Sequence, residues 1–253
     1  MRSRDLALLL ILILTLGVPA PLAQAALITT QQEVAIGRDA AQELEDRFGV
    51  VQDAAQTRRL SVIGARLAAV SDRRDLPWRF RILNQKEVNA ISLPGGFIYV
   101  TRGMLRFVQS DDELAFVLAH EVAHVNQRHH VSLLERYFFL SIVITLLFGG
   151  DTTATQVANF VGFLLGRGFN RSAEFEADQV GVGFAHRARF RADAGLRFME
   201  RLRAEEGRDP SQFEVLFRTH PGLADRMARV RQYLRELGYQ ARPWILVEGF
   251  TLG

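Results

Sequence analysis

The sequence predicts an α+β fold, mostly helical, with a small antiparallel sheet beside a helical body. Three observations carry this. At three places a short polar residue precedes an apolar-periodic stretch and a Glu or Gln follows three positions later, which marks helix starts. Between the second and third of these, from Trp78 to Val100, the pattern changes to that of strands. Hydrophobic residues make up 48% and charged residues 23%, the balance of a chain that buries a core.

In chain order, the first 25 residues read as an export signal. Arg2 and Arg4 precede an apolar run from Leu6 to Leu16, Gly17 and Pro19 break it, and Ala23-Gln24-Ala25 fits the small-residue cleavage rule. Eleven helical residues cover roughly 16 Å against roughly 30 Å of bilayer hydrocarbon, so a cleaved signal is favoured over an anchor. Residues 26–253 then form one domain. No cysteine occurs, which excludes disulfide scaffolds, cysteine nucleophiles and thiolate metal sites. The net charge of +3 is small and no basic run is interleaved with aromatics, so no nucleic-acid partner is expected.

Thr30-Gln31-Gln32-Glu33 opens a helix to about Phe48, Asp53-Ala54-Ala55-Gln56 one to about Ser71, and Ser110-Asp111-Asp112-Glu113 a third. Trp78, Phe80 and Ile82 alternate with arginines as a strand. Pro94-Gly95-Gly96 makes a turn, and Phe97 to Val100 a second strand, with Ile91 to Leu93 extended before it. Gly95, Gly96, Phe97 and Ile98 form a candidate edge on which a polypeptide substrate adds as a strand; the competing reading is a hairpin that serves only the core. Phe138 to Phe148 and Val157 to Phe169 are apolar segments shorter than a membrane span, read as buried helices, as a hairpin in peripheral membrane contact or as spans. Helices follow at about Arg171–Ala185, Asp193–Glu206 and Gly222–Leu237, with Trp244–Val247 as a last strand.

The chemistry lies in His120-Glu121-Val122-Ala123-His124, inside the third helix. Four residues make slightly more than one turn, so both imidazoles leave one face and can share one metal ion. Glu121 is placed to take a proton from a water that zinc activates. A third ligand is needed. Glu174 and Glu176 both qualify by residue type, but Asp178 shares a helix face with Glu174 and not with Glu176. That pairing gives one carboxylate to the metal, Glu174, and one, Asp178, to a ligand imidazole. His129 and His130 come too late to share the face of His124, and with His186 they read as structural.

These residues, with Asn89-Ala90, Leu93-Pro94-Gly95-Gly96, Arg171, Ala177 and Thr219-His220-Pro221 followed by Arg226, resemble the gluzincin endopeptidases related to the heat-shock protease HtpX and the CAAX prenyl proteases. The likeness is greatest to the periplasmic branch typified by the β-barrel assembly-enhancing protease and spans about Gln31 to Leu237. Asn170 replaces the usual serine before the arginine. The resemblance implies a zincin-like metalloprotease domain with one Zn2+. It implies an active-site place for His220, either stabilising the oxyanion or filling the open coordination position in a latent enzyme. It also implies that Arg226 binds the oxyanion or substrate backbone. Some relatives carry helical repeats after the protease; none is expected here. The function implied is cleavage of misfolded or misassembled exported proteins in a bacterial periplasm. The alternative is a chaperone-like or adaptor protein that keeps the fold and rarely cleaves; an intact Glu121 argues against it.

Overall fold

The structure, a computed structural model, describes residues 28–136, 162, 166, 168–206 and 210–239. The export signal, the apolar segments other than residues 162, 166, 168 and 169, and the strand expected at Trp244–Val247 lie outside the described residues. The described elements are α1 (Thr30–Phe48), α2 (Ala54–Ala68), β1 (Arg79–Leu83), β2 (Ala90–Leu93), a 3-10 turn (Pro94–Gly96), β3 (Phe97–Thr101), α3 (Arg102–Phe107), α4 (Asp111–Asn126), α5 (Arg171–Arg187), α6 (Ala194–Glu205), α7 (Pro210–Thr219) and α8 (Leu223–Glu236). A further helical stretch covers 129–136. The fold is α+β and mostly helical, as the sequence predicts.

The cap of α1 is Thr29 rather than Thr30. Its hydroxyl accepts the Gln32 N–H at 3.2 Å and the Gln32 side chain accepts the Thr29 N–H at 2.8 Å. The spacing rule fits both registers; what separates them is Glu33, which is withdrawn into the interior to pair with Arg73 at 2.8 Å and to accept the Gly95 N–H. Asp53 and Ser110 cap α2 and α4 as expected. Helix α2 stops at Ala68, where the Ser71 hydroxyl takes the terminal carbonyl at 2.8 Å.

The sheet is mixed, not antiparallel throughout. Its order is β1-β3-β2, with β2 and β3 an antiparallel hairpin and β1 parallel to β3. The hairpin was legible from Pro94-Gly95-Gly96, but which flank of it β1 joins is a long-range choice that alternation does not encode. Strand β3 is consequently central and buried on both faces. Phe97 and Ile98 therefore cannot form the substrate edge expected of them. The outer flank of β1 is covered by residues 49–51, through the bond from the Val51 N–H to the Ile82 carbonyl. Among the described residues no strand pairs with the outer flank of β2.

One face of the sheet (Phe80, Ile82, Ile98 and Val100) joins the main core with α2, α4, α5, α6 and α8. The other (Leu83, Leu93, Phe97 and Tyr99) packs under α1 and Val131. Helix α4 is buried along nearly its whole length, which explains why its sequence is apolar all round rather than striped. It runs against α5 closely enough that a Cβ on Gly181 would lie 3.0 Å from the His120 nitrogen. That approach brings the acids of α5 to the histidines of α4.

Candidate metal centre

His120 and His124, one turn apart on α4, direct their Nε2 atoms to a common point, 3.0 Å from each other. Glu174, from the first turn of α5, closes the third side, with one oxygen 3.4 Å from each Nε2. His220 follows the end of α7 and contributes Nδ1, 3.3 Å from His120 Nε2 and 3.2 Å from both Glu174 oxygens. Zinc ligand bonds of about 2.0–2.1 Å on a tetrahedron put neighbouring ligand atoms roughly 3.3 Å apart. The residues present therefore fit a zinc ion in both donor chemistry and spacing, and all four are buried.

The charges around this point favour a cation. Burial alone would raise Glu174, but the His220, Arg226 and His120 charges hold its carboxyl well below the ordinary value. Burial and the Arg226 charge pull His120 down, yet Glu174 and the hydrogen bond with Asp178 prevail and leave it at about 9. Burial drives His124 well below its ordinary value and keeps it neutral, as a ligand requires.

Asp178, one turn after Glu174, lies with Oδ1 2.9 Å from His120 Nδ1. Arg226 of α8 grips both Asp178 oxygens at 2.7 Å and places NH1 2.7 Å from Glu174 Oε2. Its remaining contacts are the His220 carbonyl at 3.3 Å and His120 Nδ1 at 3.4 Å. The oxyanion or substrate contact expected of Arg226 is not what this geometry serves: its donors are directed at protein groups, and it orders the two carboxylates instead. Glu121 is buried beside the cluster, with Oε1 3.7 Å from His220 Nε2 and Oε2 accepting the Ser92 hydroxyl at 2.6 Å.

Some residues here escape a reading of spacing. In sequence Ser92 is only part of an extended segment, yet it fixes one oxygen of Glu121. Phe169 stacks on His124, centroids 3.9 Å apart and 16° from parallel. His129 brings Nδ1 to 2.9 Å from His124 Nδ1. His130 is buried and burial lowers it to about 3, consistent with a structural place, and His186 lies against Tyr239.

Strand β2 borders the centre. The bond from the Thr101 N–H to the Asn89 carbonyl sets the antiparallel alternation. Ile91 and Leu93 thus face β3, and the main-chain groups of Ala90 and Ser92 face the outer flank. A groove there is lined by Ala90, Ser92, Glu121, Phe169, Thr219 and His220. Glu121 and His220 also line an apolar cavity of about 40 Å3, together with Met104, Phe116, Val117, Met199, Leu202 and Leu223 among others.

The model of peptidase family M48 matches residues 54–234, which takes in every residue of the centre. The chain is 30% identical over 220 residues to a putative beta-barrel assembly-enhancing protease of Vibrio cholerae, covering 83% of this chain and 45% of that protein. It is 32% identical over 174 residues to the mitochondrial metalloendopeptidase OMA1 of Schizosaccharomyces pombe, covering 68% and 51%. To the beta-barrel assembly-enhancing protease of Escherichia coli it is 26% identical over 237 residues, covering 88% and 48%. The chain thus spans about half the length of these relatives.

Proposed function

The chain belongs to peptidase family M48, and from its buried cluster we propose a zinc-dependent endopeptidase that holds one Zn2+ through His120, His124 and Glu174 and uses Glu121 as general base. The observation that carries this is the spacing of ligand atoms, 3.0 to 3.4 Å, around a common point with Glu121 alongside. A zinc ion there would supply Lewis acidity, polarising the scissile carbonyl and acidifying a water. Glu121 takes the water's proton as the carbonyl is attacked and passes it to the leaving amine. The Ser92 hydroxyl holds one Glu121 oxygen and leaves the other for that transfer. Asp178 and Arg226 fix the tautomer of His120 and the orientation of Glu174.

Substrate lies along the outer flank of β2, the side to which Ala90 and Ser92 turn their main-chain groups and on which no strand pairs among the described residues. Main-chain recognition suits unfolded or misassembled polypeptides, and the neighbouring apolar cavity suits an apolar substrate side chain. His220, its Nδ1 at the fourth corner, holds the enzyme in a resting arrangement. The export signal expected at residues 1–25 supports a place in the periplasm, and the beta-barrel assembly in the names of the bacterial relatives supports work on envelope proteins there; Phe138–Phe148 and Val157–Phe169 supply peripheral membrane contact in this reading.

Casein digestion by the full chain, with chelator and with zinc restored, tests the reading. Cleavage should stop on chelation and return with zinc. Cleavage indifferent to chelator, or a protein that takes up no zinc, would overturn it.

A further inference from the structure

His120 has its outer nitrogen held by Asp178, and among the described residues no carboxylate stands in the same position at His124. Its Nδ1 instead meets His129 Nδ1 at 2.9 Å. On the far side of that ring His129 Nε2 lies 3.3 Å from Glu176 Oε2, and the other Glu176 oxygen accepts the Gln127 side-chain N–H. His124 Nε2 faces the metal point, so its proton belongs on Nδ1. That N–H donates to His129 Nδ1. His129 then carries its own proton on Nε2 and donates it to Glu176. Every donor in the chain meets an acceptor.

We propose that His129 is a positioning residue for the metal ligand His124, linking it to Glu176 as a counterpart to the link between His120 and Asp178. His129 is not itself a ligand, since it meets His124 on the side away from the metal point. The arrangement depends on Arg128, which adopts φ +55°. A continuous helix would carry His129 past the face of His124; the left-handed residue folds it back. The Arg128 side chain holds that bend by donating to the Ile28 carbonyl at 2.6 Å.

The inference rests on the zinc reading, and its test reads metal affinity rather than turnover. Zinc affinity of the full chain is measured by competition with a chromogenic chelator at fixed pH. His129→Ala should weaken it about 10- to 100-fold, the usual effect of losing an outer partner of a ligand. His129→Asn, whose amide oxygen can accept the His124 N–H, should recover most of the loss. Glu176→Ala should weaken binding several-fold, and the double variant His129→Ala/Glu176→Ala should be no weaker than His129→Ala alone. Glu176 is half exposed, so its variant stays informative if His129→Ala fails to fold. Affinities within twofold of wild type for His129→Ala, or no recovery with His129→Asn, would overturn the positioning role. Unchanged affinity for Glu176→Ala would overturn the link to that carboxylate. Failure of wild type to bind zinc would instead sink the zinc reading.

Discussion

Replacing His220 by alanine separates a resting block from a catalytic aid by the sign of one rate change. The ring places Nδ1 3.2–3.3 Å from the donor atoms of His120 and Glu174. With zinc held by His120, His124 and Glu174, that nitrogen would take the fourth position and compete with a substrate carbonyl for it. A charge-assisted contact of this kind holds by about 1.5–3 kcal/mol, a closed-to-open ratio of roughly 10 to 150. Removing it should raise basal turnover by about 10- to 100-fold with the three remaining ligands intact. The assay is the initial rate on fluorescently labelled casein at saturating zinc, with bound metal measured on the same sample. Had the ring instead stabilised the oxyanion, its loss would cut the rate roughly 100- to 1,000-fold with zinc retained. A fall of that kind, or a rate within twofold of wild type, would refute the resting-block reasoning.

Arg226→Met leaves Asp178 and Glu174 buried without their cation. The loss should be about 3–5 kcal/mol, seen as a drop in Tm of roughly 6–20 °C for a domain of this size; a change under 2 °C would count against the ion-pair assignment. Asp178 and Glu174 are held below their ordinary values of 3.8 and 4.5. The stability they contribute is present above those values and lost as pH falls below them. Tm should therefore fall in acid more steeply for wild type than for Arg226→Met, and parallel curves would contradict this. Glu174→Ala should weaken zinc binding well beyond the roughly 10- to 100-fold of an outer partner, whereas Glu176→Ala should not; competition titration ranks the two. N-terminal sequencing of the exported protein should begin at Ala26, and retention of Met1 would refute signal cleavage.

Much of the centre could be read from sequence because it is local. His120, Glu121 and His124 lie within about one turn of a capped helix, and Glu174 and Asp178 repeat that spacing on another. The 3.6-residue period alone therefore says which side chains share a face. What escaped depends on chain reversals and strand order. His129 returns to His124 only because Arg128 turns left-handed, a conformation that no spacing rule anticipates. A hairpin pattern does not say on which side a third strand docks, so Phe97 and Ile98 read as an edge in sequence although β1 covers them. Helix α7 lies outside the helices expected from sequence, although Pro210 at its start and Phe213, Leu216 and Phe217 at helical spacing are signals for it. The substrate role that the resemblance implies for Arg226 gives way to its burial against two carboxylates, a long-range contact that sequence spacing does not encode.

The central claim is tested most directly by Glu121→Gln, with zinc content and casein cleavage measured on one preparation. The substitution keeps His120, His124 and Glu174 and preserves an acceptor for the Ser92 hydroxyl, while removing the base. Wild-type zinc stoichiometry with cleavage reduced to background is the predicted result. Cleavage at the wild-type rate by the zinc-loaded variant would contradict the account.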